Sequence, residues 1–309
     1  MRSQPPDGAE PSPLHSARPT IIGLGEVLWD MFPEGAKFGG APANFACSAA
    51  GISAGNADVH VVSSVGDDAL GDQAIEFLST RNIHTGAVQR SSFATGQVLV
   101  ELDSSGSASY RFADDCAWDN LGWTNELSSL ASGCDAVCFG TLGQRSKMSR
   151  ETIQRFVGST SDACVRMFDI NLRPPCFSDQ IVDSSLRLAS VLKLNDEELL
   201  HLADQYALTG SNEEMLQSLA KSFDLRCVAL TRGADGAVLV RGDDLVVAAG
   251  RVVDVVDTVG AGDAFSAAIA FGLLNDLKPQ TIIDRATEIA AFVCQQAGAT
   301  PSIPKSIQY

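Results

Sequence analysis

The chain has 309 residues, 45% of them hydrophobic, which is enough to form a large core in one domain or two. Acidic residues outnumber basic ones by 38 to 22, and a formal net charge of −16 without a basic cluster argues against nucleic acid as a partner. No apolar run reaches the roughly 18 residues that a membrane-spanning helix needs.

In chain order, a polar segment precedes the patterned part of the sequence. Residues 1–19 are rich in Pro, Ser and charged residues and lack the apolar region of a signal peptide, so we expect a disordered tail. From residue 20 onward, short apolar runs alternate with helical patterns. The strand-like runs are TIIGLG (20–25), VHVVSSVG (59–66), DAVCFG (135–140), VRMFDIN (165–171), SVLKLN (190–195) and CVALTRG (227–233). The helical ones include APANFACSAAGI (41–52), DQAIEFLSTRNI (72–83), SRETIQRFVGST (149–160) and NEEMLQSLAKSF (212–223). This alternation predicts an α/β fold with a mostly parallel sheet covered on both faces.

Two stretches interrupt the alternation. EVLWDMFPEGAKFGG (26–40) follows the first strand without a helix. TGQVLVELDSSGSASYRFADDCAWDNL (95–121) holds two alternating runs joined by DSSGS, which is typical of an antiparallel hairpin. We expect both stretches to lie outside the parallel sheet and to form a small β-lid, over about residues 26–40 and 94–121. GAVLVRGDDLVVAAG (236–250) predicts another hairpin, at an edge of the main sheet.

Three polar motifs follow predicted strands, where ligands bind in α/β sheets. In FGGAPANFACSAA (38–50), two glycines permit close backbone approach and Asn44 falls in the first turn of a helix; tight helix packing is the alternative explanation. In KLNDEELL (193–200), Asn195 and Glu198 either approach a ligand or form a capping box, which does not exclude contact with metal-bound water. TRGADGA (231–237) is a glycine turn that could also be an ordinary hairpin turn.

The fourth motif is VVDTVGAGDAF (255–265), a glycine-rich turn that leads into a helix of small and apolar residues. Such a turn exposes successive N–H groups, and the helix start adds a favourable dipole for a phosphate. Asp263 adjoins this turn, where a carboxylate can accept a proton as a new P–O bond forms. A phosphate site with an acid beside it predicts phosphoryl transfer, which depends mainly on positioning and charge neutralisation.

The order of these motifs, GG-x-x-x-N, N-x-x-E, T-x-G-x-x-G and D-T-x-G-A-G-D, resembles the ribokinase-like sugar kinases, or PfkB family, over about residues 20–304. GEVLWD (25–30) and DINLRPP (169–175) resemble the fructokinase branch. The resemblance implies a single ribokinase-like three-layer α/β/α domain over residues 20–309, with a mostly parallel central sheet and a small β-lid. It also implies transfer of the γ-phosphate of ATP to a sugar hydroxyl, with fructose converted to fructose 6-phosphate. Another acceptor (2-keto-3-deoxygluconate, ribose or a nucleoside) and a non-catalytic regulator that binds sugar and nucleotide stay open.

The resemblance also implies roles for individual residues. Asp263 matches the catalytic base, and Gly260, Ala261 and Gly262 match the anion hole for the transferred phosphate. The positions that match sugar-binding residues are Asp30, Gly40 and Asn44, with Arg173 near the substrate or phosphate. The positions that match nucleotide and magnesium contacts are Asn195, Glu198 (to Mg²⁺ through water), Thr231, Gly233, Gly236 and Thr287 near the adenine. The implied cofactors are ATP, Mg²⁺ and K⁺, and in many members the lid also forms a dimer contact.

A potassium site is implied at Asp257, Val259, Val293, Gln296, Gly298 and Ser302. Asp257 lies six residues before Asp263, where an uncompensated carboxylate would repel the phosphate. A cation held by carbonyl, carboxylate and hydroxyl oxygens would cancel that charge, and such a set suits potassium better than magnesium. Asp257 could instead cap the turn or pair with a cationic side chain.

Other functions find weaker support. GLGEVL (23–28) lacks the third glycine and the helix of a dinucleotide-binding motif, and the chain contains no G-x-x-x-x-G-K-[ST] sequence. Cys134 and Cys138 could bind zinc, but reduced core thiols in a cytoplasmic protein explain the eight scattered cysteines better. No role is assigned to the four histidines. Asp114 and Asp115 could touch a sugar but fit a solvated turn, and Trp29 and Phe38 could line the sugar pocket or the lid core.

Overall fold

The computed structural model describes residues 18–33, 35–102 and 108–309. Residues 1–17 and the predicted DSSGS turn at 103–107 lie outside this part of the chain. Its strands are β1 Thr20–Leu24, β2 Leu28–Phe32, β3 Gly35–Gly39, β4 Asp58–Gly66, β5 Val88–Ser91, β6 Gly96–Leu102, β7 Ala108–Phe112, β8 Ala136–Phe139, β9 Val165–Asp169, β10 Val191–Asn195, β11 Cys227–Thr231, β12 Ala237–Arg241 and β13 Asp244–Ala248. Its α-helices are α1 Ala41–Ser53, α2 Ala69–Ser79, α3 Asn125–Ser132, α4 Lys147–Gly158, α5 Asp179–Leu188, α6 Asp196–Gln205, α7 Asn212–Ser222, α8 Ala261–Leu274 and α9 Pro279–Cys294.

The main sheet has nine strands in the order β13-β12-β11-β10-β9-β8-β1-β4-β5. Strand β12 runs antiparallel to both of its neighbours, and the other neighbouring pairs are parallel. The interior strands β8 and β11 are almost entirely apolar, as expected where helices cover both faces of a sheet. The mostly parallel sheet is confirmed, and the predicted hairpin at its edge is β12–β13.

Helices cover the two faces of this sheet and complete three layers. The apolar core on one face includes side chains of α1, α2, α8 and α9, and the core on the other includes those of α3 to α7. Helix α8 is buried from Ala264 to Gly272, so its small side chains let α1 and α9 pack closely on either side. The predicted three-layer α/β/α architecture is confirmed. In the part of the chain described here, no helix combines the length and hydropathy of a membrane span.

The four remaining strands form a second sheet, called the small sheet below, in the order β3-β2-β6-β7. Strands β2 and β3 pair antiparallel, as do β6 and β7, while β2 and β6 are parallel. The two stretches that interrupted the sequence pattern therefore pair with each other, as predicted. The small sheet lies beyond the carboxyl end of β1 and forms one wall of the cleft described next.

Candidate active site

A cleft of about 830 Å³ opens at the carboxyl ends of the central strands. Strands β1, β9, β10 and β11 end at one side of it, and the small sheet faces them from the other. Strand order reverses at β1, which pairs with β4 on one side and β8 on the other. Open α/β sheets bind ligands at such a reversal, because the connections on its two sides diverge to opposite faces.

Asp263 lies at the floor of this cleft, in the first turn of α8. Gly260 is the N-cap of this helix, and its φ of 81° and close approach to Ala299 leave no room for a side chain. The first-turn N–H groups, including those of Gly262 and Asp263, lack intrahelical acceptors and suit an anion. Asn44 of α1 donates a 2.9 Å hydrogen bond from Nδ2 to Oδ2 of Asp263. The predicted base and the predicted anion hole therefore adjoin each other.

Burial raises the pKa of Asp263 to about 6. Repulsion from Asp169 adds to this rise, whereas the hydrogen bond from Asn44 and the positive charges of Lys193 and Arg173 oppose it. A carboxylate with a pKa near 6 is ionised at neutral pH and remains a useful proton acceptor. The pKa of Asp263 thus reflects two opposing effects: burial raises it, and the nearby hydrogen-bond donor and cations lower it.

Helix α1 begins beside Asp263 with an unusual backbone at Gly40. Its φ is 109°, and a Cβ there would collide with the carbonyl of Glu26. Glu26 follows β1, is 2% exposed, and accepts a 3.2 Å hydrogen bond from the Ala41 N–H through Oε1. Its Oε2 has no hydrogen-bond partner within the part of the chain that the structure describes, and burial raises the pKa of Glu26 to about 7. A second acid with a raised pKa therefore lies in the cleft beside the predicted base.

Asp30 projects from β2, opposite Lys37 of β3. Burial raises the pKa of Asp30 to about 6, against the attraction of Arg173 and Lys37. Near it, the rings of Trp29 and Phe38 pack edge to face at 5.5 Å, and Phe38 stacks on Phe77 at 4.2 Å. All three rings line the cleft, so an apolar wall stands beside Asp30, as a sugar-binding pocket requires.

Arg173 follows β9, lines the cleft and is exposed. Its guanidinium donates to the carbonyl of Leu172 at 3.1 Å. The side chain therefore stands at the cleft opening, within electrostatic reach of Asp30 and Asp263.

Asn195 and Glu198 form a capping box at the start of α6. The Asn195 side chain accepts from the Glu198 N–H at 2.9 Å, and Glu198 Oε2 accepts from the Asn195 N–H at 2.8 Å. Glu198 Oε1 also accepts from the Leu172 N–H at 3.0 Å, and burial raises the pKa of Glu198. Both side chains line the cleft. Since each Glu198 oxygen already accepts an N–H group, this set fits a magnesium ion reached through water better than one bound directly.

Of the other residues predicted to bind the nucleotide, some line the cleft and some do not. Thr231 ends β11 and lines the cleft, with its hydroxyl donating to the Leu194 carbonyl at 3.3 Å. Gly233 and Gly236 belong to the next turn, at φ of 53° and 89°, and do not line the cleft. Thr287 is buried in α9, also outside the cleft lining, and its hydroxyl has no hydrogen-bond partner among the described residues.

The predicted potassium residues come together only in part. Asp257 accepts from the Val259 N–H at 3.0 Å and from the Gly298 N–H at 3.1 Å, so it caps the turn, which was the alternative explanation. These three residues line the cleft. Val293 is buried with its carbonyl accepting from the Gln296 N–H at 2.9 Å, and Ser302 is exposed. Each Asp257 carboxylate oxygen accepts one N–H group and retains a lone pair for a cation. Oxygen ligands of this kind suit potassium.

Lys193 and Asp169 form a buried ion pair with 3.0 Å between Nζ and Oδ1, and the Lys193 ammonium lies next to Gly262 of the glycine-rich turn. Sequence reasoning assigned no role to either residue or to Glu26. A signal was present for two of them, because Lys193 and Asp169 interrupt apolar strand patterns and charged residues are seldom buried unless paired. For Glu26 the sequence pattern indicates only the start of the predicted lid.

Two other predictions concern residues away from the cleft. Asp114 and Asp115 form an exposed bend outside the cleft lining, as the solvated-turn interpretation expected. Within the described residues, no cluster of three or more His, Cys, Asp or Glu side chains could hold a metal, and Cys134 lies 3.4 Å from the sulfur of Cys164.

Comparison with known proteins decides the family. The model of the pfkB family carbohydrate kinases matches residues 34–306. The chain belongs to the PfkB family of carbohydrate kinases. A putative sugar kinase of Pyrococcus horikoshii is 31% identical over 312 residues, covering 94% of this chain and 95% of that one. A fructokinase of Escherichia coli is 27% identical, with 91% and 95% covered.

Solved structures agree with this assignment. An uncharacterised sugar kinase of P. horikoshii in complex with ATP superposes with a TM-score of 0.76 at 27% identity, covering 92% of this chain and 95% of that chain. The PfkB assignment confirms the family that the motif order predicted, and the protein is a sugar kinase. The roles of its individual residues remain predictions.

Proposed function

We propose that this PfkB kinase transfers the γ-phosphate of ATP to a hydroxyl of a sugar held between the small sheet and α1. The observation that carries the proposal is the position of Asp263. Its carboxylate lies in the first turn of α8, accepts a hydrogen bond from Asn44, and lines the same cleft as Asp30, Trp29 and Phe38. An acceptor hydroxyl in that pocket would have a proton acceptor and a phosphate site on adjoining sides.

The reaction follows from this arrangement. The hydroxyl oxygen forms a bond to the γ-phosphorus as the bond to the bridging oxygen breaks, and ADP leaves with the electron pair. The hydroxyl proton passes to Asp263. First-turn N–H groups of α8 stabilise the charge on the phosphate oxygens. The small sheet shields the site from water, which would otherwise take the phosphate.

Two ions fit the residues present. Glu198 and Asn195 would hold magnesium through water, and this ion would neutralise charge on the β- and γ-phosphates. Asp257, whose oxygens accept the N–H groups of Val259 and Gly298, would hold potassium beside the glycine turn. In both cases the protein supplies oxygen ligands whose positions backbone N–H groups already fix.

Fructose is the acceptor that we propose first. Support comes from GEVLWD and DINLRPP and from the several fructokinases among the relatives. 2-Keto-3-deoxygluconate, ribose and nucleosides are the alternatives, since the motifs determine the reaction more than the acceptor. A non-catalytic regulator is disfavoured because Asp263 and all three residues of the anion hole are present.

Asp263→Asn tests the proposal, since it keeps the shape and removes the proton acceptor. Turnover should fall by about two to four orders of magnitude while ATP still binds. Asp254→Asn, an exposed position in the preceding loop, is the matched control and should retain activity. A kcat above about a tenth of wild type in Asp263→Asn would remove Asp263 from this role.

A further inference from the structure

Lys193 is a buried cation in an otherwise apolar strand. It lies in β10 and is 7% exposed. Its Nζ donates a 3.0 Å hydrogen bond to Oδ1 of Asp169 at the end of β9. Oδ2 of Asp169 accepts a 2.8 Å hydrogen bond from the hydroxyl of Ser266 in α8. The ion pair is therefore anchored to two strands and to the helix that carries Asp263.

The pair presents its positive end to the cleft. Lys193 lines the cleft and Asp169 does not. A Cβ placed on Gly262 would lie 3.1 Å from Nζ, so the ammonium sits directly against the predicted anion hole. An ammonium has three N–H donors. Among the described residues, Asp169 is the one hydrogen-bond acceptor of Nζ, so two donors remain for other ligands.

The charges around Asp263 show what this ammonium could do. Asp169 faces it as an anion, Glu26 as a second acid that ionises only near pH 7, and Lys193 and Arg173 as cations. Arg173 is exposed and its charge is screened by solvent, whereas that of Lys193 is buried and screened much less. Although burial alone would lower the pKa of Lys193, attraction to Asp169 and Glu198 raises it, so the side chain stays charged.

We propose that Lys193 is a positioning residue for phosphoryl transfer: its anchored ammonium beneath Gly262 offsets the negative charges that Asp263 and the transferred phosphate bring together. This inference rests on the proposed function. It assigns to the protein itself a permanent positive charge at the anion hole, against Gly262. The competing explanation is that the pair only ties β9, β10 and α8 together.

Opposite changes of charge separate the two explanations. Lys193→Met removes the cation and should move the acidic limb of the kcat/KM profile about one pH unit upward, with roughly tenfold lower activity below pH 6. Asp169→Asn removes an anion and should move the same limb downward. A purely structural pair predicts lower stability in both variants and no opposite shifts. Ser266→Ala keeps both charges and should leave the limb in place.

A binding measurement supplies a second readout. Lys193→Met should weaken a non-hydrolysable ATP analogue about tenfold more than ADP in calorimetry, because the two ligands differ in the γ-phosphate. Breaking a buried pair can prevent folding, whereas neutralising both partners is tolerated better. The double variant Lys193→Met/Asp169→Asn should therefore fold and keep its acidic limb near that of wild type. Its affinity for the analogue, measured against its affinity for ADP, should still be lower than in wild type.

The outcomes are distinct. An acidic limb that stays in place in folded Lys193→Met, or single variants that move it in the same direction, would overturn the proposal. So would a double variant whose relative affinity for the analogue and ADP equals that of wild type. If the wild-type protein phosphorylates no sugar, the proposed function fails, while the two nucleotide affinities still test Lys193.

Discussion

The hydrogen bond from Asn44 to Asp263 makes a quantitative prediction for the pH dependence of catalysis. Asn44→Leu keeps the volume of the side chain and removes the donor that holds the ionised carboxylate. A hydrogen bond to a charged group contributes about 1.5–3 kcal/mol, which corresponds to a rise of about one to two units in the pKa of Asp263. From a starting pKa of about 6, the ionised fraction at pH 7 would fall from about 0.9 to about 0.5 or less.

Since Asp263 must be ionised to accept the proton, activity is lost as the pH falls through its pKa, and the variant should lose activity at a higher pH. The profile of kcat/KM from pH 5 to pH 9 measures this limb in the free enzyme. Ser48→Ala, one turn along the buried face of α1, is the matched control and should keep the wild-type limb. An unchanged limb in Asn44→Leu, with the protein folded, would refute the coupling between Asn44 and Asp263.

Three further predictions address other parts of the cleft. Asp30→Ala should raise KM for the sugar more than KM for ATP, because Asp30 lies on the small-sheet side; equal effects would contradict its role. Potassium should activate the enzyme relative to tetramethylammonium at fixed ionic strength, and Asp257→Ala should abolish that activation; identical wild-type rates in the two salts would exclude the cation site. Glu26 has a folded pKa of about 7 against an ordinary 4.5, so the native state binds its proton more tightly and stability falls as the pH rises through this window. Glu26→Gln should therefore unfold at a higher temperature than wild type at pH 8 but not at pH 4.5, with a gain of up to roughly 3 kcal/mol; an equal effect at both pH values would contradict it.

Most of the framework could be predicted from the sequence because its signals are local. Apolar strands alternate with helices, and each of the six strand-like runs became a strand of the main sheet. Boundaries were less accurate where a cap decides them. The helix predicted at 72–83 spans Ala69–Ser79, because the Asp68 side chain caps its start through the Gly71 N–H and Asn82 adopts a φ of 58° beyond its end.

The candidate site was predictable where glycines mark it and not where distant charges meet. The glycine turn pointed to Asp263, and the structure places Asn44, 219 residues away in the chain, against it. The ion pair of Lys193 and Asp169 depends on the neighbouring positions of β9 and β10, which no local pattern specifies. The burial of Glu26 likewise depends on a tertiary contact, the close approach of Gly40 to the Glu26 carbonyl.

The most direct test of the central claim is an ATP-consumption screen of the purified protein across fructose, ribose, 2-keto-3-deoxygluconate and nucleosides, with the products identified by mass spectrometry. The account predicts that a sugar stimulates ATP consumption and gains one phosphate, with fructose showing the highest kcat/KM. A higher kcat/KM for another acceptor would replace fructose and leave the kinase assignment intact. Binding of ATP and sugar without phosphate transfer to any acceptor would contradict the account and favour a regulatory role.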